Sequence, residues 1–489
     1  MNVDQYLKDA EAFNVAINTE HYRAGAGLQA GLNIAPIYQK YAYLFEGELF
    51  DQLAAWDLEP AQVRLLQEFI ADGFLGNQTR ELIERHAAQE SAANVEWDER
   101  PVPYRNVPIL IANEADAVRR HALEERYLET QATFNPVLEE REKRLQRLAR
   151  GFQYPGYVEL YDDLRGFHLA ELTQSMQQFI AATDELYLAA LDTYLSEMHI
   201  LRDDARKCDL ARIFRGTQFD LWFPGERLLP SLHETLRDMD ILLEDQLNIH
   251  LDTADRPLKS PRAFCSAIRA PEDVRLVVKP TGGVVDYEAL LHEAGHAEHF
   301  GNIDRTLPFA YRRLGDASVT EGYAFLIQHL NNDRLWLDRH LGFAQADSFL
   351  QLAGFHRLYF LRRYGTKLQY EQELHRADEP GDVAPLYDDL FTRNLGVGYG
   401  PESYLADVDG GFYAAAYVRA WIFEAQMRRY LQREFDDQWF RNPKAGKFLI
   451  ELWREGQKHP VETLAGFMGY DGLDPTYVME DIRALMGAA

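Results

Sequence analysis

Along most of the chain, apolar residues recur three and four positions apart, the period of helices that bury one face. Residues 116–150 and 172–206 show it best, mixing Leu, Ala, Glu, Arg and Gln around the apolar positions. Period-two alternation is scarce, so a mostly α fold is predicted. Proline-bearing breaks at Pro101, Pro103, Pro108, 254–261, 378–385 and Pro443 punctuate the helices. They are short and not low in complexity, which makes them loops within one architecture. One segment departs from the pattern. Residues 273–279 (DVRLVVK) lie between Pro271 and Pro280 and run into Thr281-Gly282-Gly283, which predicts a short strand ending in a turn. Asp286 is then a candidate N-cap for a helix starting near Tyr287.

Composition narrows the setting. The chain has 489 residues, with 51 Lys+Arg against 78 Asp+Glu and a net charge of −27. Nucleic acid and anionic membrane are poor partners for so acidic a protein, because phosphate is held by clustered cations. The 46% apolar and 26% charged fractions are those of an ordinary globular protein. Length alone, at about 150 residues per domain, suggests roughly three domains. Only Cys208 and Cys265 occur, which excludes a disulfide framework and leaves two inert thiols as the expectation. The N-terminus does not read as a signal peptide, and no stretch approaches the roughly 18 apolar residues of a membrane span. A soluble, cytoplasmic protein is expected.

The helix after the turn carries the chemistry. His292 and His296 stand at i and i+4 in Leu-Leu-His-Glu-Ala-Gly-His-Ala-Glu-His, so both imidazoles leave one face and can grip a single tetrahedral ion. Glu293 sits about 100° around the helix, placed to reach a metal-bound water without being a ligand. A catalytic zinc needs a third ligand and an open position. Glu321, after 24 intervening residues, opens another helix and is the favoured donor, with Asp316 the next choice. Ser318 and Glu321 also fit a capping box, in which the glutamate would turn back to the backbone. Glu298 and His299 fall on another face, as solvated or supporting groups.

These motifs resemble the gluzincin-type helical zinc peptidases of the thimet oligopeptidase, neurolysin and oligoendopeptidase F kind. The resemblance rests on Lys259-Ser-Pro-Arg-Ala-Phe-Cys265, Leu276-Val-Val, Thr281-Gly-Gly283 and the 290–299 helix. Leu307-Pro-Phe-Ala-Tyr-Arg-Arg313, Tyr417-Val-Arg419, Lys444-Ala-Gly446 and Gly469–Asp474 are similar to the C-terminal half of angiotensin-converting-enzyme-type peptidyl dipeptidases. The likeness spans about residues 259–480.

It implies a neurolysin-like, two-lobed, mostly α metallopeptidase with a deep channel and a small edge strand or sheet beside the active helix. Residues 1–250 would form a helical lobe and 251–489 the zinc lobe, in one continuous fold. It also implies one Zn2+ per chain, a monomer or small homo-oligomer, and short unstructured peptides as substrates. The strand 274–278, with Leu276 and Val277, would pair with an extended peptide.

An oxyanion donor is needed as well, usually tyrosine or histidine in these families. Aligned to the oligopeptidases, the histidine falls on Asp407 and the tyrosines on Phe412 and Arg419. Aligned to the dipeptidases, the tyrosine falls on Ala420. Tyr413 and Tyr417, one turn apart, are the candidates, with Tyr399 and Tyr404 as alternatives and aromatic packing as the competing role. Arg419 would either read a substrate carboxylate, as in a carboxypeptidase or peptidyl dipeptidase, or pair with an acidic neighbour. The missing histidine leaves a zinc-binding but catalytically silent peptide-binding protein as a further alternative.

Overall fold

The computed structural model describes residues 2–487 and is built mainly of helices, as the patterning predicts. The 116–150 stretch forms helices Ala117–Ala132 and Asn135–Ala149, with Pro136 in the first turn of the second, where its missing N–H costs nothing. The 172–206 stretch gives Leu169–Ala182 and Asp184–Glu197. Among the described residues no helix is long and apolar enough to cross a membrane. Both cysteines are free thiols.

The strands form two small sheets among the described residues. An antiparallel hairpin joins β1 (Asn94–Trp97) to β2 (Arg100–Pro103). The other sheet has β3 (Ile249–Asp252), β4 (Phe264–Arg269) and β5 (Asp273–Val277) in the order β3-β5-β4. The predicted strand is therefore present, but it lies in the middle. β5 runs parallel to β3 and antiparallel to β4, with Cys265 opposite Leu276. Both its edges are taken, and Leu276 and Val277 are buried. They cannot offer their backbone to a peptide, which corrects the expectation for these two residues. An unbroken Leu-Val-Val run marks a strand covered on both faces; the sheet's edges are β3 and β4.

The chain divides into two compact units interleaved in sequence. One takes residues up to Ile70, Thr217–Gln351 and Ala416–Leu485; the other takes Ala71–Gly216, Leu352–Ala415 and the few residues from Met486. The first unit holds the three-stranded sheet and a large apolar core, to which the motif helix Val284–Asn302 contributes Tyr287, Leu290, Leu291, Ala294 and Ala297. That helix begins earlier than predicted. Gly283, at φ +92, is its N-cap, and Asp286 lies in the first turn. The Asp286 carboxylate accepts the N–H groups of Thr281 and Gly282, each at 2.8 Å, and so straps the preceding turn instead of capping the helix.

The motif helix packs on the helix Ala317–Gln328. At their crossing stands Gly295, where a Cβ would lie 2.6 Å from Ala324 Cα and 2.8 Å from the Tyr323 carbonyl oxygen. A glycine in a helix interior costs about 1 kcal/mol relative to alanine, and close backbone approach offsets that cost here. Gly295→Ala should push the helices apart, destabilise the protein by about 1–3 kcal/mol as overpacking does, and weaken metal retention. Thermal unfolding and metal content measure both; an unchanged Tm with full metal content would contradict this packing.

Candidate metal centre

Two helices deliver the donors. His292 and His296 project from Val284–Asn302, and Glu321 from the first turns of Ala317–Gln328. Their ligand atoms all lie within 4.8 Å of one another. His292 Nε2 is 3.3 Å and His296 Nε2 3.7 Å from Glu321 Oε2. A tetrahedral zinc with bonds of about 2.0–2.1 Å would set its donors about 3.4 Å apart, so this two-nitrogen, one-oxygen set fits the ion.

The imidazoles are oriented from behind. His292 Nδ1 donates to Gln328 Oε1 at 2.8 Å, and His296 Nδ1 pairs with the Thr320 hydroxyl at 2.8 Å. With Nδ1 so engaged, each Nε2 faces the Glu321 carboxylate. Burial pushes the His296 imidazolium down to about 4, which keeps the ring neutral and fit to ligate. For His292 burial works downward as well, but the adjacent Glu321 carboxylate outweighs it and the net shift is upward.

Asp316 and Glu321 divide the work at the start of the second helix. Asp316 is the N-cap and accepts the Ser318 N–H at 2.9 Å. The Ser318 hydroxyl accepts from Arg419 Nη1 at 2.7 Å. Since neither residue needs Glu321 for capping, its carboxylate is available to the histidines. Arg419 is correspondingly unavailable to substrate: it is buried, bidentate to Glu462 at 2.6 and 2.9 Å and within 3.0 Å of Asp316. Of its two predicted roles, it has the pairing one. In a buried setting an unpaired guanidinium would be costly, and these two carboxylates remove that cost.

Glu293 points toward the sheet. Its Oε2 accepts the backbone N–H of Cys265 in β4 at 2.7 Å. Burial pushes its carboxyl up to about 7, with the Glu321 charge adding to the shift and His292 and the Cys265 amide opposing it. Of the two roles expected for Glu298 and His299, the solvated one is excluded: both are buried, Glu298 bonded by Gln246 at 2.9 Å and His299 Nε2 lying 3.2 Å from the Gly456 carbonyl.

The tyrosines lie on or before the late helix Tyr413–Phe435. Tyr417 packs on Trp421 and on Phe325, each with ring centroids 5.8 Å apart, and the Phe325 ring is 5.0 Å from that of His292. Tyr413 begins the helix and is partly buried. The alternatives are committed elsewhere: the Tyr399 and Tyr359 hydroxyls pair at 2.9 Å, and Tyr404 bonds Glu139. Asp407, where the oligopeptidase histidine would fall, is ion-paired with Arg363 and Lys367. Gly295, Thr320, Gln328 and the Cys265 amide were not singled out from the sequence. A glycine inside a helical motif was the one available signal among them.

A second group, His121, Cys208 and Asp209, also clusters closely. There Arg120 takes Asp209 Oδ1 at 2.6 Å and the Arg206 N–H takes Oδ2 at 2.8 Å, which makes it a buried ion knot.

The fold is shared with solved helical peptidases. No family model and no curated protein matches the chain, but solved structures do. The chain covers 98% of itself and 84% of a protein assigned as oligoendopeptidase F from Bacillus anthracis str. Ames, with TM-score 0.59 and 15% identity. It covers 99% of itself and 98% of the M32 carboxypeptidase from Deinococcus radiodurans R1, with TM-score 0.56 and 16% identity. For Trypanosoma cruzi metallocarboxypeptidase 1 the figures are 99% of each chain, TM-score 0.57 and 15% identity. At such identities the likeness is one of fold.

Thr320→Val keeps the shape of the side chain and removes the partner of His296. Metal affinity should fall about 10- to 100-fold, the usual effect of losing a group that orients a ligand. Competition against a graded chelator reads this out, and an unchanged affinity would refute the role.

Proposed function

We propose that the protein is a zinc-dependent metallopeptidase acting on short, unstructured peptides. One observation carries the reading: Glu293, beside a two-histidine, one-glutamate donor set, is held by the amide of a sheet-edge strand. His292, His296 and Glu321 would hold one zinc ion per chain. When bound, zinc supplies Lewis acidity, acidifying water and polarising a carbonyl. Glu293 is the general base, which takes the proton of the attacking water and passes it to the leaving amine. The Cys265 amide fixes which carboxylate oxygen remains to do so. A peptide would add to the outer edge of β4 as a further strand, through main-chain hydrogen bonds indifferent to side-chain identity. Tyr417, which packs on the Phe325 ring beside His292, would donate to the oxyanion.

Endopeptidase and carboxypeptidase readings both remain consistent with this chemistry. An exopeptidase mode is the second reading, because two of the proteins that share the fold are carboxypeptidases. Arg419, buried against Asp316 and Glu462, does not supply its carboxylate reader.

Glu293→Gln should retain zinc while losing about 10²-fold or more of turnover, the scale of general-base catalysis. Peptide cleavage undiminished in that variant, or insensitive to a zinc chelator in the parent, would sink the assignment. Mass spectrometry of one peptide with a free or an amidated C-terminus separates the modes. An endopeptidase cuts both; a carboxypeptidase spares the amidated form.

A further inference from the structure

The motif helix carries one acid that nothing in the fold employs. Of the carboxylates along Val284–Asn302, Asp286 straps the preceding turn, Glu293 holds the Cys265 amide and Glu298 is bonded by Gln246. Glu288 has no hydrogen-bond or ion-pair partner among the described residues. It is half-buried, and burial alone pushes its carboxyl up to about 7. A surface glutamate is solvated and a structural one is paired; Glu288 is neither. A carboxylate partly stripped of water and left unpaired is a cost to the fold, and a cation arriving from outside removes it.

Its position on the helix says where that cation belongs. Residues four apart lie about 40° around and 6 Å along an α-helix. Glu288, His292 and His296 therefore form one row, with Glu288 a turn before the first metal ligand. The row stands outside the arc of Tyr287, Leu290, Leu291 and Ala294 that enters the core. All of it, together with Glu321 and β4, belongs to one compact unit. An extended peptide advances about 3.4 Å per residue, so the 6 Å from His292 to Glu288 corresponds to about two residues. The charge of −27 draws cationic peptides to the protein as a whole but does not discriminate among positions along them. A single unpaired carboxylate in the metal row does.

We propose that Glu288 is a specificity-determining residue: its carboxylate binds a cationic nitrogen of the peptide, from a basic side chain or the free α-amino terminus, about two residues from the cleaved bond. The inference rests on the peptidase reading and names the class of peptide that the site takes. Glu288 touches no reacting atom; it selects which peptide is held beside the metal.

Peptides differing in one charged group test this. One sequence is made with lysine, or with norleucine, which lacks only the ammonium, at each position near the cleaved bond. A second pair has the N-terminus free or acetylated. In one of these arms the parent should favour the cationic peptide about tenfold in kcat/KM, and Glu288→Gln should abolish the preference with zinc content unchanged. The arm that responds tells a side-chain cation from the α-amino group. Glu288→Lys should turn the preference toward glutamate at the same place, a reversal that a change of shape alone would not produce. Equal cleavage in both arms by the parent, or a preference that survives Glu288→Gln, overturns the role of Glu288 and leaves the peptidase reading intact. A parent that cleaves none of these peptides overturns the peptidase reading instead. Calorimetric binding of the same pairs, about tenfold apart in the parent and equal in Glu288→Gln, then decides whether Glu288 holds the cation.

Discussion

Two helices can bring their backbones nearly into contact only where one of them has no side chain, and Gly295 is that place. The contact at Ala324 and Tyr323 sets the spacing between the helix that carries His292 and His296 and the helix that carries Glu321. With the helices at a more usual distance of about 8–10 Å governed by side chains, the carboxylate would stand off from the imidazoles. The buried residues around the crossing, Leu291, Ala294, Val319 and Leu326, make that spacing rigid because a dense interior has little room to adjust.

The second helix needs a fixed rotation as well as a fixed distance. Asp316 at its N-cap, Ser318 in its first turn and Arg419 bridging to Glu462 pin its start. Thr320 and Gln328 then reach back to the two histidines from either side of Glu321. One short helix thus contributes a donor and both orienting partners. Its hydrophobic side meanwhile enters the core through Val319, Tyr323, Leu326 and Ile327.

How much of this could be read from the chain depends on the range of the interaction. His292, Glu293 and His296 were legible because a helix turns their spacing into geometry without outside help. Glu321 was legible only among alternatives, since Asp316 and the capping box compete on sequence grounds and only the observed Asp316 cap separates them. The strand 273–279 was recognised, but its place in the sheet was not: pairing order is long-range information, so Leu276 and Val277 were given an edge that belongs to β3 and β4. Arg419 looked the same in the sequence whether it faced substrate or carboxylates 43 and 103 residues away. The helical fold was evident from periodicity; the interleaving of the two units was not, because no local pattern marks where the chain leaves one core for another.

The tie between Cys265 and Glu293 runs from a main-chain amide, not from the thiol. Such a contact is indifferent to what residue 265 is, so long as it is not proline. The orientation of this carboxylate is therefore sheltered from side-chain change at its own partner, and the chain can vary the strand's surface without disturbing it. A neighbouring strand position can be altered to reshape what rests on the sheet edge while the acid beneath stays aimed. Mutational tolerance and chemical constancy are here assigned to different atoms of the same residue.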